Sequence, residues 1–348
     1  MRRVVTLLLV CLMVLSLVAC GNSAAPAAEK PAEGAPAAEA PAAEAPATSK
    51  KVAGVVFFED QFMKMLQSGF KDAAEAAGYE FYPGNTNNDV GKEIEMLNTY
   101  VTQGYAGVAI APTAGEASIE NISKAANSGL VVGVANANYN NMDWMTGCFS
   151  SDDYQLGKMT GEEAAKFINA NLDGKANVAI LEFRPANAEM SANRKNGFLE
   201  ALEAGGVTVN VVSDEDAWEQ DKAITIATDV MTAHPEINVF WAANEGGTIG
   251  AAMAIANTGK AGQVYAFGTD ASEQTIALLQ SEDNVLQALT GQDAYQIGIQ
   301  TMNSVIATIE GKDNPAAGKF NIVPGSLLTR ERPEELVAYL ENLKAITG

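Results

Sequence analysis

Apolar residues along this chain come in two registers that alternate from about residue 51 onward. Short unbroken runs rich in β-branched residues mark strands covered on both faces, and longer stretches with apolar positions every three or four residues mark helices with one covered stripe. The runs predict strands at 52–57, 108–111, 131–135, 145–150, 178–183, 207–212, 239–243, 264–268 and 285–289, with one more near 322–328. Helices are expected at about 61–77, 116–128, 154–170, 190–204, 220–233, 247–258, 273–281, 293–311 and 333–345. Several ends carry their own stop signals: Gly78 after the first helix, Gly205-Gly206 after the helix ending at 204, and Pro235 beyond His234.

Strands that do not alternate in polarity belong to mainly parallel sheets, and helices between them cover both faces. The folded stretch from Lys51 to Gly348 is longer than one hydrophobic core usually organises. Two doubly wound parallel-sheet α/β domains follow. In such sheets a ligand lies beyond the carboxyl ends of the strands, so function is sought in the loops after them.

The first 50 residues have a different character. Arg2 and Arg3 precede an apolar run over residues 4–18, and Leu17-Val18-Ala19-Cys20 has the form of a bacterial lipobox. Residues 1–19 are therefore expected to be a signal peptide, and Cys20 a lipidated N-terminus. Prolines at 26, 31, 36, 41 and 46 then give residues 20–50 a five-residue Ala/Pro/Glu period, an extended spacer that buries no core. With Cys11 removed and Cys20 acylated, Cys148 is the one thiol left, so the fold relies on no internal disulfide, and Cys148 reads as a small buried hydrophobe. Formal charge is −21. A chain so acidic repels nucleic acid and anionic lipid, which excludes both as partners and leaves the acyl group as the membrane contact.

The strand-end loops share one chemistry. Asp60 and Phe62 stand in the first, Asn136 after the fourth run, Arg184 and Arg194 around the start of the 190s helix, and Asp216 with Trp218 in the next. Asn244, Asp270 and Gln292 follow. Planar carboxylate, amide and guanidinium groups hold neighbouring hydroxyls in pairs, and an aromatic face covers the C–H face of a sugar ring. Asn and Asp also cap helices, so for each residue alone capping and ligand contact stay equally open. Recurrence over many loops is what points to a polyhydroxyl ligand.

The region 51–348 resembles the ribose/galactose-type periplasmic binding proteins of sugar ABC transporters, which have the type I solute-binding fold shared with the ligand domains of lactose-repressor-like regulators. The likeness is carried by Leu66-Gln67-Ser68-Gly69-Phe70-Lys71-Asp72-Ala73-Ala74, Ser191-Ala192-Asn193-Arg194-Lys195-Asn196-Gly197-Phe198, Ala233-His234-Pro235-Glu236-Ile237 and Phe267-Gly268-Thr269-Asp270. No DNA-binding helix-turn-helix precedes them, so the transporter branch is implied. The resemblance puts the sugar contacts on Phe62, Arg194, Trp218, Asn244, Asp270 and Gln292, and extends to Glu59, Asp60 and Asn136. Where ribose binders have Asn-Asn-Pro-Phe-Phe and Asp-Arg, this chain has Glu59-Asp60-Gln61-Phe62-Met63 and Ala135-Asn136. An aromatic and an Asp-Arg pair are missing, which leaves the sugar open.

The implied organisation is an N-terminal domain of residues 51–151 plus 293–321 and a C-terminal one of 152–292 plus 322–348. Crossovers near 151–153, 291–293 and 320–323 would form the hinge. The expected function is an extracytoplasmic lipoprotein that closes on a monosaccharide, pyranose or pentose, and delivers it as a monomer to the transmembrane subunits of an ABC permease. A sugar alcohol, a nucleoside or a furanosyl signal molecule is the alternative ligand, and ligand presentation to a chemoreceptor or kinase the alternative role. One histidine, and no Gly-x-Ser-x-Gly, His-Glu-x-x-His or Walker sequence, argue against an enzyme. No cofactor or metal is expected. His234 and Trp241 read as structural, and Trp144 as a loop residue.

Overall fold

The computed structural model describes residues 49–347, and the signal peptide, Cys20 and most of the spacer lie outside them. Two six-stranded sheets carry the fold. The elements in chain order are β1 (Lys51–Val56), α1 (Gln61–Ala76), β2 (Glu80–Asn85), α2 (Val90–Thr102), β3 (Gly107–Ile110), α3 (Glu116–Asn127), β4 (Val131–Ala135) and β5 (Met145–Ser150). Next come α4 (Asp153–Asn171), β6 (Lys175–Glu182), α5 (Ala188–Ala204), β7 (Thr208–Asp216), α6 (Gln220–Ala233), β8 (Val239–Ala242), α7 (Glu245–Asn257), β9 (Tyr265–Thr269) and α8 (Glu273–Gln280). The chain ends with β10 (Leu286–Gly291), α9 (Ala294–Ile309), β11 (Phe320–Ile322), β12 (Ser326–Thr329) and α10 (Pro333–Thr347).

The first sheet has the order β11-β5-β4-β3-β1-β2 and the second β12-β10-β9-β8-β6-β7. All pairings are parallel except β10 with β12. Each sheet is covered on both faces, as the unbroken apolar runs require. On β1, for example, Val52 and Val56 join the cluster under α1 and α9, whereas Ala53 and Val55 face Leu97, Ile122 and Val134 on the other side. Trp241 lies in the core of the second sheet, stacked on Phe198 with ring centroids 5.0 Å apart.

Three passes of the chain link the sheets: between β5 and α4, between β10 and α9, and between β11 and β12. The stretch read as one strand near 322–328 is thus two short strands, one in each sheet. β12 enters the second sheet straight from β11 of the first, with no helix between them, and runs antiparallel to β10. The structure also adds β2 and α2, in a stretch left unassigned by the periodicity. β2 contains Pro83 and is partly exposed, which fits an edge strand that needs few donors. α2 buries Leu97, Tyr100 and a carboxylate, Glu93, whose Oε2 accepts from Thr113 N at 2.8 Å and from the Ser118 hydroxyl at 3.1 Å.

Two helix pairs touch backbone to backbone. A Cβ at Gly157 of α4 would stand 1.8 Å from the carbonyl oxygen of Arg194 on α5, and one at Gly69 of α1 would stand 2.3 Å from that of Tyr295 on α9. No real Cβ fits there, so glycine is required and the helices are fixed against each other by main chain. Cys148 on β5 is buried, and its Sγ donates to the Ala137 carbonyl at 3.1 Å.

Candidate functional site

In both sheets the strand order reverses beside one strand: β1 is flanked by β2 and β3, and β6 by β7 and β8. Crossover helices leave such a strand and its neighbour in opposite directions, which opens a crevice at their carboxyl ends. The two crevices contribute to one cavity. Phe57, Asp60 and Phe62 come from the end of β1, Pro112 and Gly115 from β3, and Asn136 from β4. From the other sheet come Phe183 and Arg194 beyond β6, Trp218 beyond β7, Asn244 beyond β8, Asp270 beyond β9 and Gln292 beyond β10.

The polar floor is connected. Asp270 is buried, and its Oδ1 accepts from Gln292 Nε2 at 2.7 Å while its Oδ2 accepts from the Glu245 backbone N–H at 3.0 Å. Arg194, 3% exposed, donates through Nε to Asp153 Oδ1 and through Nη1 to the Ala243 carbonyl, both at 2.8 Å. Nη1 also stands 3.9 Å from Asp270 Oδ2, and the guanidinium lies 5.1 Å from the centre of the Phe183 ring. A charge this deep needs such partners. Asp270 and Asn136 have φ of +71° and +52°. Asn and Asp enter that left-handed region more readily than most residues, at a cost in strain that recurs at ligand sites.

Some of the residues that line the cavity also cap helices. Asn244 caps α7: its Oδ1 accepts from Gly247 N at 3.2 Å and its Nδ2 donates to the Trp218 carbonyl at 2.9 Å. Asp60 caps α1 by accepting from Met63 N at 2.8 Å. Burial pushes the Asp60 carboxyl up to about 6, with the charge of Asp270 adding to the effect. Glu245 is raised to about 7, first by burial and then by Asp60 and Asp270. Trp218 is half-buried, its indole 5.3 Å from the Phe58 ring.

Of the nine residues expected from the sequence, eight line this cavity and Glu59 does not. Glu59 is exposed on the outer side of the loop, where Asn85 Nδ2 reaches it at 3.4 Å. Once Asp60 turns inward to cap α1, its neighbour has to face out. Arg184 and Asp216 are also drawn away, paired with each other at 2.8 Å in a network with Glu182, Asp214 and Lys195. That network braces the end of β6 through Ser191, which accepts from Phe183 N–H and donates to Glu182. Trp144 packs beside the first core and does not line the cavity. Sequence reasoning missed Phe57, Phe183, Pro112, Asn187 and Met190. Phe57 and Phe183 each close an apolar run, so the signal that marks them is their place one residue beyond the strand.

A family model described as periplasmic binding protein domain matches residues 55–313. The ABC transporter periplasmic-binding protein YphF of Escherichia coli K12 is 24% identical over 285 residues, 80% of this chain and 85% of that protein. The D-allose-binding periplasmic protein of the same organism is 26% identical over 273 residues, 76% of this chain and 87% of its own. Among solved structures, a carbohydrate transporter solute-binding protein from Agrobacterium radiobacter in complex with D-arabinose superposes with a TM-score of 0.75 at 20% identity. The match covers 87% of this chain and 100% of that one.

Proposed function

The chain belongs to the periplasmic binding protein domain family, and from that premise we propose that it is the exported binding component of an ABC importer for a monosaccharide. One observation carries this reading: the cavity joins buried planar groups, Arg194, Asp270 and Gln292, to the aromatic walls Phe57, Phe62, Phe183 and Trp218. Planar groups take adjacent hydroxyls in pairs, and aromatic faces cover the ring's C–H surface. The allose-binding relative and the arabinose-bound neighbour support the same class of ligand. A ligand here touches residues from both sheets at once. It therefore stabilises a closed arrangement about the three passes, in which the loaded protein is presented to the permease.

A thermal-shift screen of monosaccharides, polyols and nucleosides tests the reading. A ligand at 100 times its dissociation constant adds about 2.7 kcal/mol to stability. A set of pentoses and hexoses in which none moves the melting temperature would sink the proposal.

We further propose that Cys20 is acylated and holds the protein at the outer face of the membrane, with residues 20–50 as tether. Cys20→Ala is expected to release the protein from the membrane fraction without changing its ligand affinity, because the folded residues begin beyond the tether. Fractionation that finds the signal-cleaved variant still membrane-bound overturns the anchor.

A further inference from the structure

The charges of the cavity do not balance. Among the described residues Arg194 is the one cationic side chain that lines it, and its charge is shared between Asp153, 2.8 Å from Nε, and Asp270, 3.9 Å from Nη1. Asp60 and Asp270 line the same space, and Glu245 adjoins it behind Asp270. Two side chains that line the cavity, Asn136 and Gln292, also hold a buried acceptor oxygen without a partner, Oδ1 and Oε1 respectively. Gln292, 5% exposed, cannot be turned to change this, because its Nε2 is held by Asp270 at 2.7 Å.

A site built this way asks its ligand for donors and for positive charge. Neutral hydroxyls bring one donor each and leave Asp60 and Asp270 as two like charges in one cavity, a costly arrangement where water is scarce. An ammonium brings three donors and the missing charge. We propose that the ligand is a polyol carrying a protonated amine, an amino sugar or amino cyclitol, with the ammonium seated against Asp60 and Asp270. The inference rests on the reading of the cleft as a polyol site. It also fits the raised affinity of Asp60 and Glu245 for protons, which burial causes first and their neighbouring carboxylates second.

Calorimetric titration of the full chain at pH 7 tests it. The probes are D-glucosamine, D-galactosamine, D-mannosamine and an inosamine, each beside its hydroxyl parent, with the N-acetyl sugars as neutral amides of similar size. At least one amine is expected to bind tenfold or more tighter than both its parent and its amide. Asp60→Asn keeps the helix cap, since Asn caps as well as Asp, and is expected to bring that ratio down toward one. Hydroxyl parents that bind as tightly as their amines overturn the proposal, as does an Asp60→Asn variant with the ratio intact. Binding by neutral sugars alone leaves the polyol reading standing, whereas silence from every polyol removes both.

Discussion

Arg194→Ala is expected to abolish measurable sugar binding and to lower the melting temperature of the ligand-free protein. The first effect follows from the loss of a planar, charged donor group at the cavity floor, where hydrogen bonds to charged groups contribute about 1.5–3 kcal/mol each. The second is a consequence of the structure. Asp153 lies behind the guanidinium with a side chain 2% exposed and 2.8 Å away. Removing Arg194 leaves that carboxylate buried and unpaired, a change that costs about 3–5 kcal/mol in comparable sites. The double variant Asp153→Asn, Arg194→Met removes both charges and is expected to recover much of the stability while binding stays lost. Chemical denaturation with calorimetry on the three proteins separates the effects. A double variant no more stable than Arg194→Ala would show that the pair is not what holds this corner together.

Trp218→Ala is expected to weaken binding by about 2 kcal/mol, at ~25 cal/mol for each Å² of apolar surface the ligand no longer covers, or roughly thirtyfold in dissociation constant. Stability without ligand should change by about 1 kcal/mol or less. The loop around Trp218 is anchored through main chain: its carbonyl accepts from Asn244 Nδ2, and α7 approaches so closely that a Cβ on Gly246 would stand 2.3 Å from the same oxygen. Deleting the indole leaves that anchorage in place. It removes the half-buried ring, its packing against the edge of the second sheet's core and its tilted contact with Phe58. The ligand-induced change in tryptophan fluorescence should fall with it. A variant that binds like the wild type but melts far lower would make Trp218 a core residue after all.

The parts of this molecule that were legible in the sequence are those where burial is complete. Runs such as 131–135 and 239–243 have no polar position to spare, and the strands observed there fall within a residue of the expected bounds. Legibility falls at the edges. β2 combines Pro83 with exposed positions, so neither period nor composition marks it, and α2 went with it although Leu97 and Tyr100 give it a buried stripe. The site follows the same logic. Polar residues just after apolar runs stand out, so Asn136, Asn244, Asp270 and Gln292 were visible. Phe57 and Phe183 were not, because an aromatic that ends a run looks like one more core residue. Glu59 was misplaced because sequence adjacency to Asp60 does not say which of two neighbours a helix cap will turn inward.

Burial of Cys148 has a practical consequence for anyone who wants to watch this protein work. Maleimides and related reagents react with the thiolate, and a thiol pushed up to about 12 by burial offers almost none at neutral pH. It is the one free cysteine among the described residues. A second cysteine placed at the exposed position of Glu59, just outside the cavity, can therefore take a single fluorophore without protection chemistry, and the labelled protein becomes an optical reporter of its own ligand.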